Sequence, residues 1–166
     1  PIVSKKQLEK IESQIEDAVS KGAKILTGGR RIENEKGYFF LPTVMTNLNM
    51  SMDLMNEECF GPVLPIISVK DTEDAIEKAN NTIYGLGGSI WTSNLEKGVE
   101  VAKSLQTGMV WVNDVNVAFP EAPWGGVKNS GLGVELSEFG IYDFVQPKHI
   151  NVETSPNTRR DWWYPY

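Results

Sequence analysis

The sequence predicts an α/β fold, a mostly parallel sheet with helices on both faces. Three observations carry this. Short apolar, β-prone runs recur along the 166 residues; amphipathic stretches of about ten residues or more separate them; and capping or turn residues punctuate most boundaries. Strands spaced by helices of that length favour right-handed crossovers between parallel neighbours.

Ser4, with Gln7 three residues on, makes a capping box, and Leu8, Ile11, Ile15 and Val19 follow at helical spacing until Lys21-Gly22 supplies the stop. Ala23 to Leu26 and Tyr38 to Leu41 read as strands joined by a charged loop. Val63 to Val69 is a nearly continuous apolar run, and Pro65 within it fits an edge or bulged strand. Asp71 or Thr72 can cap a helix through Asn80, and Ser93 with Glu96 makes a second capping box before Leu95, Val99, Ala102 and Leu105. Gly88 to Trp91 and Met109 to Val112 read as strands. A Gly/Pro-rich loop is expected over 120–133, a last short helix near Glu135 to Phe144, and an extended segment from His149 to Val152. In such sheets ligands meet the loops at the carboxyl ends of strands, which directs attention to the segments after Leu41, Trp91 and Val112.

Hydrophobic content of 40% and charged content of 23% suit one domain around one core. A net charge of -6 argues against nucleic acid and anionic membrane, because both demand a basic face. No apolar run is long enough to span a bilayer, and Pro1 to Lys6 lack the apolar stretch of a signal peptide. A small molecule is the expected ligand and the cytoplasm the expected location. One cysteine, Cys59, cannot form an internal disulfide, and one histidine, His149, leaves no zinc cluster, so no metal site is expected. Cys59 follows two carboxylates with no base nearby in sequence, which favours a protonated thiol and a small buried hydrophobe. The chain opens at Pro1 and reads as a fragment of a longer protein.

Four stretches stand in order: Glu57-Glu58-Cys59-Phe60-Gly61-Pro62, Asn80 to Leu86, Gly108 to Asn113, and Pro123-Trp124-Gly125-Gly126-Val127-Lys128-Asn129-Ser130-Gly131. Together they resemble the aldehyde dehydrogenase superfamily, specifically the C-terminal part of its catalytic domain, from the first helix to the strand at His149. The resemblance implies residues 1–147 as a partial catalytic domain, 148–155 as an oligomerisation strand of a homo-oligomer, and 156–166 as an aromatic tail. It further implies NAD or NADP as cofactor and an aldehyde as substrate. Glu58 would meet the nicotinamide ribose, where a carboxylate accepts from both hydroxyls. Phe60, which an ordinary core position would also explain, would lie on the nicotinamide side, and Leu86 would pack near it.

The loop from Asp114 through Val115, Asn116 and Val117 to Phe119 matches the family's substrate-tunnel loop. Trp124 matches the aromatic position at its inner end, and Met109 a wall position. Such a pocket must be dry and shaped to hold a carbonyl against its reaction partners. Glu135 matches a glutamate that relays protons, although a carboxylate in a first helical turn needs no such role. Lys128 and Ser130 would position the loop. In the family a cysteine thiolate attacks the aldehyde, hydride passes to the nicotinamide, and a glutamate activates water to hydrolyse the thioester. The segments carrying that nucleophile, that general base and the dinucleotide domain lie upstream of the matching region, so the isolated fragment is expected to be inactive. Val134-Glu135-Leu136-Ser137 departs from the family's Arg-Glu-Leu-Gly. Trp124, the Phe119-Pro120-Glu121-Ala122-Pro123 run and the Asp161-Trp162-Trp163-Tyr164 tail look most like the betaine-aldehyde and aminoaldehyde branch, where a tryptophan face suits an ammonium group. Met109 is larger than the branch's usual residue, so a slimmer aminoaldehyde or an unrelated aldehyde also fits. The competing reading is a separate non-catalytic binding or assembly protein on the same fold, to which the missing nucleophile points.

Overall fold

Helix α1 (Lys5–Ser20) opens the computed structural model, which describes residues 1–32 and 36–154. The Ser4 hydroxyl accepts from the Gln7 N–H at 3.2 Å, as the capping box predicts. Leu8, Ile11, Ile15 and Ala18 form the buried face, and Val19 is exposed. Positions 18 and 19 lie three and four residues past Ile15, so periodicity admits either and packing selects Ala18. Gly22 ends the helix at φ 100°, with its N–H on the Val19 carbonyl at 3.0 Å. Glycine takes that left-handed position without a Cβ penalty.

The strands are shorter and less parallel than expected. β1 (Lys24–Thr27) pairs antiparallel with β2 (Thr43–Thr46), and β2 pairs parallel with β3 (Val63–Pro65). The strand expected over Tyr38–Leu41 is displaced past Pro42, and Phe40 keeps only an isolated bridge to Arg31. Proline brings no N–H to a ladder. Regular pairing begins at Thr43, whose hydroxyl donates to the Leu41 carbonyl and accepts from the Gly29 N–H, both at 2.8 Å. Pro65 likewise ends the strand expected to reach Val69.

A four-residue helix α2 (Asp53–Asn56) precedes β3. α3 (Thr72–Asn80) is capped by Asp71, whose carboxylate accepts from the Asp74 N–H at 2.8 Å. β4 (Tyr84–Gly85) and β5 (Gly87–Ile90) follow, then α4 (Leu95–Ser104) and β6 (Met109–Val112). The α4 cap is Asn94 rather than Ser93, accepting from the Lys97 N–H at 3.0 Å. Upstream, the Thr92 backbone is clamped by the Asn113 side chain, at 2.8 Å and 2.9 Å, which leaves Asn94 at the helix entrance.

β5 pairs parallel with β6, while β4 pairs antiparallel with β7 (Val127–Lys128), a two-residue strand inside the loop expected over 120–133. Three small sheets, with parallel ladders β2–β3 and β5–β6 and antiparallel ladders β1–β2 and β4–β7, thus stand where one mostly parallel sheet was expected. Two residues are too few to show a strand period. α5 (Ser137–Ile141) begins two positions after the expected Glu135, because the Glu135 backbone is bridged to Trp124 instead. A 3-10 turn over Tyr142–Phe144 completes it. The segment expected to extend from His149 to Val152 has no ladder partner among the described residues, and Ile150 and Val152 are exposed. The aromatic tail at 156–166 lies outside the described residues.

The core joins the buried face of α1 to Phe40, Met45, Leu48, Met52 and Leu54. Past Leu54, the only buried large apolar side chain among the described residues is Met109, 9% exposed. The later part is held by backbone close approach and hydrogen bonds. A Cβ at Gly61 would lie 2.4 Å from Ile11 Cδ1, so the turn after Phe60 rests directly on the core. At Gly108 a Cβ would lie 1.9 Å from the Gly125 carbonyl oxygen. Gly108→Ala is therefore expected to lower stability by roughly 1–3 kcal/mol, read as an earlier urea midpoint. Gly88→Ala, where the nearest atom is Leu105 Cδ1 at 3.2 Å, serves as the control with a much smaller shift. Equal shifts in the two variants would contradict the close approach.

Candidate active site

One extended segment, Tyr84 to Ile90, organises the site. On one edge β4 pairs with β7, and the Gly85 N–H donates to Ser130 Oγ at 2.9 Å. On the other, the Gly108 N–H reaches the Gly85 carbonyl at 3.0 Å and the Met109 N–H the Leu86 carbonyl at 3.1 Å, leading into the β5–β6 ladder. Lys128 Nζ donates to the carbonyls of Asn80 and Thr82, at 2.8 Å and 3.2 Å. A cation at the end of α3 satisfies carbonyls that the helix leaves unpaired. The Asn80 side chain accepts from the Gln106 N–H at 2.7 Å and donates to the Ser104 carbonyl at 2.8 Å, stapling the end of α3 to that of α4. The positioning expected of Lys128 and Ser130 is present as these bonds.

A cleft of about 480 Å³ lies beside this segment, lined among others by Met55, Glu57, Glu58, Leu86, Gly87 and Ser130. Glu57 is engaged by the Lys10 ammonium, whose pKa rises through that hydrogen bond and the attraction of the same carboxylate. The Glu58 side chain is exposed and has no hydrogen bond or ion pair among the described residues. Of the two carboxylates, Glu58 is the one free to take a ligand. Its loop hangs from α1, since Gln14 Nε2 donates to the Glu58 carbonyl and Gln7 Nε2 to the Phe60 carbonyl, each at 3.4 Å. Leu86 lines the same cleft as Glu58. Phe60 does not line it and is 68% exposed.

Two further hollows, of about 330 Å³ and 290 Å³, share Met109, Trp111 and Trp124 as walls, and the first also shares Leu86 and Gly87 with the Glu58 cleft. Val115 and Asn116 line the first, Val117 and Phe119 the second. These expected substrate residues therefore come together. Asp114 stays outside, its carboxylate accepting from the Val115 N–H at 2.8 Å. Glu135 does not line either hollow; its backbone N–H and carbonyl each bond Trp124, at 2.8 Å, and so set the level of that ring. Trp111 and Gly87 are absent from the sequence-based site. The signal for Trp111 was available, because positions 109 and 111 share one face of a strand. Gly87 carries no side chain to mark it.

Leu86 and Gly87 thus line both a carboxylate-bearing cleft and an aromatic hollow, an arrangement that suits a site where two small ligands meet. The aldehyde dehydrogenase family model matches residues 1–150, and the chain belongs to that family. Among its relatives, the betaine aldehyde dehydrogenase of Bacillus subtilis is 42% identical over 94% of this chain and 32% of its own length. The peroxisomal aminoaldehyde dehydrogenase 1 of Pisum sativum is 45% identical over 99% of this chain and 32% of its own. A crystal structure of betaine aldehyde dehydrogenase from Staphylococcus aureus with NAD+ superposes at a TM-score of 0.87, with 39% identity over 100% of this chain and 33% of that one. The chain spans about a third of the length of the relatives it matches.

Cys59 is half-buried and packs against the core, and burial pushes its thiol pKa up; the flanking carboxylates are not the cause. A raised pKa means less thiolate at neutral pH and a poor nucleophile. Among the described residues no group of His, Cys, Asp and Glu could hold a metal. Because Cys59 is the sole cysteine, alkylation reports on it alone. Iodoacetamide is expected to label the folded chain more slowly than glutathione, with the pH midpoint of the rate displaced upward. A rate at pH 7 equal to or above that of glutathione would reverse the assignment.

Proposed function

We propose that this chain is the C-terminal part of the catalytic domain of an NAD- or NADP-dependent aldehyde dehydrogenase, one that oxidises an ammonium-bearing aldehyde to its carboxylic acid in a cytoplasmic homo-oligomer. The observation that carries the reading is the Leu86–Gly87 wall, shared by the Glu58 cleft and the Trp124 hollow. An oxidation of this type requires cofactor and aldehyde to lie within reach across a dry boundary.

The residues present fit the nicotinamide half of such a cofactor. The unpaired Glu58 carboxylate can accept from two ribose hydroxyls, and Thr82, Thr107, Ser130, Met55 and Leu86 combine polar groups with apolar surface around it. When bound, the nicotinamide supplies the hydride acceptor. This chain's own residues do the rest of the local work. Leu86 keeps water from the shared boundary, Met109 and Trp111 form a dry wall, and Trp124 offers a π face to a cationic head. Burial disfavours the Cys59 thiolate, and this reading assigns the nucleophile and the general base to other segments of a longer protein. The names of the relatives support an aldehyde bearing a quaternary or primary ammonium.

The isolated chain is expected to produce no NADH or NADPH from any aldehyde. In the full-length protein, Glu58→Gln keeps shape but loses charge-assisted hydrogen bonds, and the cofactor KM should rise by about tenfold. An unchanged KM and kcat would remove Glu58 from the cofactor site. Trp124→Leu should keep an apolar wall but lose the π face, lowering selectivity for ammonium-bearing over neutral aldehydes by about tenfold. Equal losses for both substrates would leave Trp124 as a packing residue only.

A further inference from the structure

Trp111 is half-buried on β6 and belongs to both aldehyde-side hollows. Its ring centroid lies 5.9 Å from that of Trp124 with the planes at 58°, a tilted arrangement in the range where aromatic pairs attract. Its indole N–H donates to the Val117 carbonyl at 3.0 Å. Beneath it, a Cβ at Gly87 would lie 2.8 Å from Trp111 Cζ3, so the ring rests on the backbone of the shared wall.

Trp124 needs such support. Gly125 and Gly126 follow it, and its backbone is held by a single isolated bridge to Glu135. Trp111 is the aromatic ring that packs against it among the described residues. The loop from Asp114 to Phe119 is in the same position. Its other hydrogen bonds are local, from the Val115 N–H to Asp114 and from the Ala122 N–H to the Phe119 carbonyl. The Trp111–Val117 bond ties it back to β6.

We propose that Trp111 is a positioning residue that sets the angle of the Trp124 ring and tethers the 114–119 loop, and thereby governs which aldehydes are accepted without touching the reacting atoms. Its two functions are chemically separable. Phenylalanine at this position keeps a ring against Trp124 but has no N–H for Val117; leucine loses both. The effect on aldehyde choice rests on the reading of Trp124 as a pocket wall, whereas the effect on the ring's orientation does not.

The test uses the full-length enzyme with Trp111→Phe, Trp111→Leu, Trp124→Leu and the double leucine variant. kcat/KM is measured for an ammonium-bearing aldehyde and a chain-matched neutral one, together with the cofactor KM. Trp111→Leu is expected to lower the selectivity ratio by about threefold to tenfold, and the double variant to match Trp124→Leu alone, because coupled residues are not additive. Trp111→Phe should keep most of the selectivity and raise the aldehyde KM about twofold to tenfold for both substrates through the lost tether. The cofactor KM should stay put throughout, which a general loosening of the fold would not allow. Wild-type selectivity in Trp111→Leu, or losses that multiply in the double variant, overturn the proposal. Should Trp124→Leu leave selectivity intact, the pocket reading fails on its own. Trp111 is then judged by fluorine NMR of 5-fluorotryptophan protein: a Trp124 resonance that splits or broadens in Trp111→Leu supports positioning, and one that stays single and sharp rejects it.

Discussion

Everything in the site hangs on the extended segment from Tyr84 to Ile90, which is bonded to β7 over Tyr84–Gly85 and to Gly108 and β6 from Gly85 to Ile90. Ser130 and β7 hold one edge, Gly108 and β6 the other. A segment so held cannot shift toward either cleft without breaking backbone hydrogen bonds, and each bond left unmade in a partly buried place costs free energy. The backbone approach is close enough to exclude a side chain at Gly108, where a Cβ would meet the Gly125 carbonyl. The hold on Leu86 thus comes from peptide hydrogen bonds rather than from a buried side-chain core.

The rest of the molecule divides its labour accordingly. Apolar burial is concentrated in α1, β2 and the turns up to Leu54, while α3 buries no residue and α4 only Gly98. Burial of side chains such as Ile11 and Met45 contributes roughly 1.5–3 kcal/mol each. The later elements depend on individual polar staples: Lys128 on the end of α3, Asn80 between α3 and α4, Asn113 on Thr92. Each contributes on the order of 1 kcal/mol. Glu58 sits where the two regimes touch, because its loop packs on Ile11 through Gly61 and hangs from Gln14.

Much of this was legible in the sequence where local chemistry decides. The α1 cap at Ser4, the stop at Gly22 and the span of α3 follow from hydrogen-bonding side chains and glycine at fixed offsets. Glu58, Leu86, Met109 and Trp124, which the ordered motifs carry, line the cleft and the hollows described above. What stayed hidden depends on contacts between distant residues. Asn94 prevails over Ser93 as a cap only because Asn113, on another strand, already clamps Thr92. β7 exists because Lys128 and Val127 meet Tyr84 and Gly85 some forty residues away in sequence. Phe60 reads as a ligand contact from its motif, yet its ring lies outside the cleft. Trp111 sits two positions past Met109 on β6, so the strand period alone puts both on the face that walls the hollows.

Gly87 lines both the Glu58 cleft and the hollow walled by Trp111, and the Trp111 ring leans on its backbone. A side chain introduced there would press first on the Trp111 ring, since a Cβ at Gly87 would lie 2.8 Å from Trp111 Cζ3 and 3.4 Å from Cη2. Val115, Asn116, Val117 and Phe119 line the aromatic hollows and not the Glu58 cleft, so bulk there can change with no change in the lining of that cleft. The same geometry insulates the cofactor side: new preferences for aldehydes can accumulate around Trp124 while the arrangement that serves Glu58 is left as it was.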